Sequence, residues 1–180
     1  MSTRDPMRGL AVASVLVLLA AGPAAAQQGP QLGRPVSPQE LAAWDISIGP
    51  DGAGLPPGSG TVRDGEATFM AECQGCHNEK GAGTPNDRLA GGQGSLAGDK
   101  PAVKTVGSYW PYATTLFDYI RRAMPLYESK SLTNDEVYGV VAYLLNVNGI
   151  VGADATMNAQ TLPKVTMPNR DGFLTFARGK

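Results

Sequence analysis

Hydrophobic residues recur at helical spacing in three stretches of the chain, residues 61–77, 111–124 and 133–148. Apolar side chains three and four positions apart lie on one face of a helix, so each stretch predicts an amphipathic helix that packs against the others. The pattern therefore predicts an all-α domain. The core positions expected from it are Val62, Phe69, Met70, Cys73, Tyr112, Ala113, Leu116, Phe117, Ile120, Val137, Val140, Val141, Leu144 and Leu145.

Local signals give the ends of these helices. Proline disfavours helix in the residue before it, so Pro125 ends the second helix at Met124. Thr133 and Glu136 have the spacing of a capping box and predict the start of the third helix. Gly65 inside the first helix costs about 1 kcal/mol relative to alanine, which predicts that another helix approaches closely there.

The segments around the helices are rich in glycine and proline. Residues 27–60 are predicted to form an N-terminal arm with a short helix from Ser37 to about Trp44. The glycine- and proline-rich part beyond this helix is expected either to lie over the domain or a partner, or to be a disordered linker. Residues 78–108 contain seven glycines and predict a long loop around a bound cofactor. Residues 150–180 form a C-terminal extension that covers either its own domain or a partner.

The first 26 residues have the three parts of a secretory signal. Arg4 and Arg8 are followed by an apolar run at residues 10–21 and by small residues at Ala24–Ala26. We expect cleavage after Ala26 and export to the periplasm, with an uncleaved anchor as the alternative. No later stretch has the roughly 20 apolar residues of a membrane span. The formal net charge of −1 does not suggest nucleic-acid binding.

The sequence CQGCH at residues 73–77 has the spacing of a c-type haem attachment site. Cys73 and Cys76 lie on one side of a helical turn, where each can form a thioether to a haem vinyl group, and His77 is then directed at the iron. Zinc normally needs four ligands, but the chain has two cysteines and one histidine. A thioredoxin-like pair would follow a strand, which the sequence before Cys73 does not predict, and a structural disulfide is a further alternative.

The second axial ligand is predicted by elimination. The lone histidine rules out bis-histidine ligation within one chain, and methionine is the usual other axial ligand in electron-transfer cytochromes. Met70 is on the helix that carries the motif and is assigned to the core, whereas Met124 follows a helix and leaves ample chain to reach the other haem face. Met124 is therefore the predicted ligand, with Met167 less favoured. An open iron position that binds a small molecule is the remaining alternative.

The motifs together resemble a known family. Gly65 and Phe69 before CQGCH, Met124-Pro125 after a helix, and LTNDEVYGVVAYLL resemble the small class I cytochromes c over residues 61–148. The stretches ELAAWDISIGPDGAGLPPGSGTVRDGE, TVGSYWPYATTLFDYIRRAMP and LPKVTMPNRDGF resemble the cytochrome subunit of the sulfite dehydrogenase and Sox sulfane dehydrogenase group. This second resemblance extends over most of the chain beyond the signal segment.

The resemblance implies a class I cytochrome c fold with extended N- and C-terminal arms and a monohaem domain at residues 61–149. In the family, a molybdenum-cofactor subunit oxidises the sulfur compound and the haem passes the electrons to a downstream cytochrome c. The resemblance also implies that Cys73 and Cys76 hold one covalent haem c, with His77 and Met124 as axial ligands. Some Sox members carry a second haem domain, so a single motif leaves sulfite or sulfane sulfur open. The alternative functions are a free-standing electron shuttle and a haem protein with an open iron site.

Overall fold

The computed structural model describes residues 32–99 and 101–174, so the expected signal segment, residues 1–26, lies outside the described part. The chain divides into two compact units, Met1–Pro38 and Gln39–Lys180, and the packing below is within the second. The elements of the described residues, in chain order, are helix α1 (Pro38–Ala42), strand β1 (Ser59–Thr61), helices α2 (Val62–Glu72) and α3 (Gln74–His77), a 3-10 turn (Glu79–Gly81), helices α4 (Ala113–Ala123) and α5 (Asn134–Val147), strand β2 (Thr156–Asn158) and a second 3-10 turn (Leu162–Lys164).

The core forms where α2 and α4 pack on α5, the most completely buried helix. The predicted apolar faces of α4 and α5 are confirmed at Leu116, Phe117 and Ile120 and at the predicted α5 positions, which are all buried: Val137, Val140, Val141, Leu144 and Leu145. Tyr112, also predicted on the α4 face, precedes the helix and is only partly buried. At the crossing of α2 and α5, Gly65 contacts the backbone of Gly139 so closely that a methyl group would overlap the carbonyl oxygen of Gly139. The predicted close approach at Gly65 is thus confirmed.

Met70 was expected in the core and this prediction is wrong. Its side chain is 60% exposed, whereas α2 buries Val62, Gly65 and Phe69. Successive residues of a helix are about 100° apart, so a face centred on Phe69 turns its neighbour away from α5. The continuous helix expected at residues 61–77 is also interrupted, because α2 ends at Glu72 and Cys73 separates it from the single turn of α3.

The predicted helix ends on either side of the Met124 loop are confirmed. Helix α4 ends at Ala123, and Met124 follows it in an extended conformation with φ −122° and ψ 145°. At the start of α5, Thr133 Oγ1 accepts a hydrogen bond from the N–H of Glu136, and the Glu136 carboxylate accepts one from the N–H of Thr133 at 2.7 Å. Both ends follow from residues that are neighbours in sequence.

A short antiparallel ladder joins the two arms, which the sequence did not predict. Strands β1 and β2 pair with Gly60 opposite Met157. Three residues per strand are too few to establish an alternating pattern, so the hydrophobic pattern carried no signal for them. The regular secondary structure of the described residues is mainly helical, as expected for the all-α class.

Residues 48–60 of the N-terminal arm lie over the domain. The N–H of Ile48 donates to Asp118 Oδ1 at 3.0 Å on α4, and Tyr138 on α5 donates from its hydroxyl to the carbonyl of Pro56 at 2.8 Å. The C-terminal extension does the same, because Leu162 and Met167 are fully buried in the core. Both the arm and the extension had been expected to contact either this domain or a partner, with a disordered linker as the alternative for the arm, and the structure shows that both contact the domain.

Candidate haem-attachment site

The two cysteines lie on one helical turn at the end of α2. Cys73 is partly buried against the core and Cys76 is exposed, and no disulfide joins them. The N–H groups of Cys76 and His77 both donate to the carbonyl of Cys73, at 3.1 and 2.9 Å. This turn therefore keeps both thiols available and places His77 directly after them.

The Cys73 side chain is partly buried, and its surroundings favour the neutral thiol over the thiolate. Burial raises its pKa to about 11, with smaller contributions from the negative charge of Glu72 and from Cys76. A reactive redox cysteine and a zinc ligand both need a stabilised thiolate, which this environment disfavours. Within residues 32–99 and 101–174 no group of three or more His, Cys, Asp or Glu residues could hold a metal ion. The zinc and thioredoxin-like alternatives therefore gain no support.

The imidazole of His77 is oriented by a backbone carbonyl. Its Nδ1 lies 2.8 Å from the carbonyl oxygen of Asp87. Because a carbonyl oxygen can only accept a hydrogen bond, Nδ1 is the donor and carries the proton. The lone pair is then on Nε2, the nitrogen on the other side of the ring, which is the arrangement that a metal-ligating histidine needs. Sequence analysis missed Asp87, because its contribution comes from the backbone and leaves no side-chain pattern.

A tight loop brings Asp87 back to the motif. The chain reverses directly after His77, and Asn78 and Lys80 have positive φ values of 62° and 54°. The N–H of Gly83 then donates to the carbonyl of His77 at 2.8 Å, and the N–H of Asn86 to that of Cys76 at 2.9 Å. The predicted long loop is confirmed, except for the single 3-10 turn, and its first part is fastened to the attachment motif.

Met124 differs from the other methionines of the described chain. Met157 and Met167 are buried in the core and Met70 is exposed on α2, whereas Met124 is partly buried and packs against the core from its edge. Its N–H donates to the carbonyl of Ile120 at 3.0 Å, which holds the start of the loop on α4. A side chain at the margin of the core, on a fixed backbone, suits a ligand better than one that fills the interior.

The segment that leads into α4 is held from outside by the C-terminal extension. Asn169 donates from Nδ2 to the carbonyl of Tyr109 at 2.7 Å, and the guanidinium of Arg170 lies over the ring of Tyr112 at 4.3 Å. The rings of Phe173 and Tyr109 meet edge to face, with centroids 5.2 Å apart. The extension thereby fixes the segment that leads into α4, and Met124 directly follows that helix.

The donor set fits a c-type haem. Two free cysteines on one turn, a histidine with Nε2 available and a partly buried methionine are the groups that covalent attachment and axial ligation require. The structure places the two cysteines and His77 together and adds the carbonyl of Asp87 to them. Met124 is brought to the same core from α4.

Comparisons with known proteins agree with this reading. The sequence profile of a family described as cytochrome c oxidase, cbb3-type, subunit III matches residues 60–144. The structure is similar to that of the sulfane dehydrogenase SoxCD from Paracoccus pantotrophus, with 43% sequence identity and a TM-score of 0.77, over 82% of this chain and 73% of that one. None of the curated proteins matches the sequence. No helix within the described residues is long and apolar enough to cross a membrane.

Proposed function

This chain belongs to the c-type cytochrome subunits of the sulfite dehydrogenase and Sox sulfane dehydrogenase group, and we propose that it accepts electrons from a molybdenum-containing dehydrogenase subunit. It then passes them to a downstream cytochrome c in the periplasm. Its cofactor is covalently bound haem c, as in the family. The oxidation of the sulfur compound takes place on the partner, so this subunit transfers electrons without being the catalyst.

We assign four residues to the haem. Cys73 and Cys76 form the thioethers, His77 is the proximal ligand through Nε2, and Met124 is the distal ligand. The hydrogen bond from His77 Nδ1 to the carbonyl of Asp87 supports the assignment of His77, since it leaves Nε2 as the only nitrogen of the ring that can bind a metal. The partial burial of Met124 supports its assignment as a ligand, because the other three methionines in the described part of the chain are either in the core or exposed.

The observation that carries the partner assignment is the extent of the similarity. The general cytochrome profile matches residues 60–144, whereas the similarity to SoxCD covers 82% of the chain and so includes sequence outside the cytochrome core. Both the arm and the extension are fastened to the domain by hydrogen bonds and buried side chains. Similarity to a sulfane dehydrogenase over these additions, and not only over the cytochrome core, supports the proposal that this chain is a dehydrogenase subunit.

When bound, the haem supplies a one-electron couple. The chain provides a rigid environment for it, since a fixed environment limits the rearrangement that accompanies a change of charge. The carbonyl of Asp87 holds the His77 ring, and the extended backbone at Met124 holds the second ligand at the end of α4. If His77 and Met124 both bound the iron, they would leave no position on it for water or a small molecule, which would favour electron transfer over ligand binding.

Two other functions make different predictions. A free-standing shuttle would purify alone, whereas the proposed subunit purifies with a molybdenum-containing partner. A haem with an open iron site would change its spectrum when carbon monoxide is added to the reduced protein. The six-coordinate protein proposed here would show no such change.

Native purification tests the proposal. The protein is isolated from the periplasmic fraction of its own organism without detergent, and molybdenum and haem are determined in each fraction of a size-exclusion column. Co-elution of molybdenum with haem at a constant ratio is the expected result. Haem that elutes at the size of this chain alone, separate from all molybdenum, would contradict it. N-terminal sequencing of the same sample tests cleavage after Ala26.

A further inference from the structure

Asn148 is a buried polar residue directly after the last turn of α5. Its side chain is 8% exposed and every polar atom of its amide has a partner. Burial of an amide is unfavourable unless its hydrogen bonds are made, so such a residue is under a specific constraint. The identity of its partners indicates what the constraint is.

All partners of the Asn148 amide are backbone groups. Its Nδ2 donates to the carbonyl of Leu144 at 2.8 Å, which satisfies a free carbonyl at the end of α5, and to the carbonyl of Leu89 at 3.2 Å. Its Oδ1 accepts from the N–H of Gly91 at 2.9 Å. Two of the three bonds therefore join the helix to residues 89–91 of the loop.

Further contacts fix the same point. Gln93 donates from Nε2 to the backbone carbonyl of Asn148 at 2.9 Å. Gly107 lies so close that a methyl group on it would overlap Asn148 Oδ1, so the chain at residue 107 also closes over the amide. Leu89 additionally accepts from the N–H of Val106 at 3.2 Å. The loop beyond Asp87 is thus held in part by the Asn148 side chain, together with the Thr105 hydroxyl, which donates to the carbonyl of Gly91, and the carbonyl of Gly81, which accepts from the N–H of Ala90 at 3.2 Å.

The anchored residues follow directly after the carbonyl that orients His77. Asp87 lies two residues before Leu89, and the N–H of Leu89 also donates to the carbonyl of Gly81 at 2.8 Å. The position of the Asp87 carbonyl is therefore set on one side by the attachment motif and on the other by Asn148. A single peptide segment transmits any movement of Leu89 to the hydrogen bond at 2.8 Å on His77 Nδ1.

We propose that Asn148 is a positioning residue for the haem ligand. By holding Leu89 and Gly91 on α5, it keeps the Asp87 carbonyl on His77 Nδ1 and so sets the donor strength of the imidazole. A hydrogen bond from Nδ1 raises the basicity of the ligating nitrogen, which favours the oxidised metal and lowers the reduction potential. Asn148 therefore tunes the potential from the far end of α5. This inference rests on the proposed role of His77 as an iron ligand.

The test compares Asn148→Ala with Asn146→Ala in the holoprotein. Asn146 lies two residues earlier in α5 and donates from Nδ2 to the carbonyl of Val151 at 2.9 Å, so it fastens a segment that does not lead to His77. For each protein the reduction potential is titrated, and exchange of the His77 Nδ1 proton with deuterium is followed by NMR. Asn148→Ala is expected to exchange that proton about tenfold faster, as for the loss of an anchoring hydrogen bond. Its potential is expected to rise, and Asn146→Ala to change neither quantity.

The outcomes separate this inference from the ligand assignment. The inference alone is overturned if Asn148→Ala keeps its His–Met spectrum and has the same Nδ1 proton exchange rate and the same reduction potential as the wild type. A wild-type spectrum without histidine ligation overturns the ligand assignment and the inference together. If Asn148→Ala does not form holoprotein, Asn148→Ser decides, because the shorter side chain also loses the bonds to Leu89 and Gly91 but keeps a polar group at the site. Faster exchange of the Nδ1 proton in Asn148→Ser then supports the inference, and unchanged exchange overturns it.

Discussion

Gly65 of α2 and Gly139 of α5 meet backbone to backbone, and neither position has space for a side chain of ordinary size. A methyl group at Gly65 would overlap the Gly139 carbonyl, whereas one at Gly139 would lie 3.0 Å from the nitrogen of Gly65, which is tight but closer to tolerable. The two helices that frame the attachment site therefore owe their close approach to a pair of glycines. The asymmetry between the two positions gives a graded prediction.

Gly65→Ala is expected to lower the free energy of unfolding by about 1–3 kcal/mol, because the added methyl group forces α2 and α5 apart. Gly139→Ala is expected to cost less. Gly152→Ala is the control, since its φ is not in the left-handed region and its methyl group would meet only the carboxylate end of the Asp154 side chain, which can move. Denaturant unfolding of the three holoproteins measures the order. Equal costs for Gly65→Ala and Gly152→Ala would contradict the packing described.

Replacement of Met124 is expected to remove the iron ligand. Met124→Ala should lose the methionine-to-iron charge-transfer band of the ferric spectrum, since no other methionine among residues 32–99 and 101–174 lies at the edge of the core. Met167→Ala is the matched control: it should keep the band while losing about 2–5 kcal/mol of stability, because Met167 is fully buried. An absorption spectrum of each ferric protein decides. A band that persists in Met124→Ala would overturn the assignment.

The C-terminal extension is expected to stabilise its own domain at Leu162 more than at its end. Leu162→Ala should cost about 2–5 kcal/mol, since the side chain is fully buried and its removal leaves a cavity. Phe173 is 49% exposed and touches Tyr109 through one ring edge, so Phe173→Ala should cost less than about 1.5 kcal/mol. Chemical denaturation followed through haem absorbance measures both. Equal, small effects would mean that the extension does not belong to the core.

The start of α2 is expected to lose a contribution to stability in acid. Hydrogen bonds from the side chain and the backbone of Thr61 lower the pKa of Asp64 below its ordinary value of 3.8. A lowered pKa in the folded state stabilises the protein above pH 3.8, and this contribution disappears as the pH falls through the folded value. Asp64→Asn should therefore lower the melting temperature at neutral pH and have a shrinking effect below pH 3.8. Thr61→Val should show a smaller pH dependence of the same sign, because it removes the donor hydroxyl while the N–H of Thr61 still donates to Asp64. A difference from the wild type that is constant with pH would contradict this expectation.

The features predicted correctly from the sequence depend on residues close together in the chain. The capping box of Thr133 and Glu136, the end of α4 before Pro125 and the apolar stripe of α5 each lie within a few turns of a helix. Their geometry follows from local chemistry, because capping and helical periodicity need no knowledge of the rest of the fold. The attachment motif was recognisable for the same reason.

The features that were missed depend on tertiary contacts. Met70 was assigned to the core because it lies at helical spacing on the helix that carries the motif, but α2 packs on α5 through Gly65 and Phe69, and Met70 is exposed. The carbonyl of Asp87 and the amide of Asn148 act through backbone hydrogen bonds across the fold, which leave no spacing in the sequence. The short β1–β2 ladder likewise depends on two segments that the fold brings together.

The most direct test of the proposed function is substrate-driven reduction of the haem in the natively purified complex, with molybdenum determined in the same sample. Sulfite and a protein-bound sulfane-sulfur donor are added in turn to the oxidised complex, and haem absorbance is followed by stopped-flow. The account predicts rapid reduction by one of the two compounds in a sample that contains molybdenum, which would also identify the substrate. Haem that stays oxidised with both compounds, in a cytochrome that purifies without molybdenum, would contradict it.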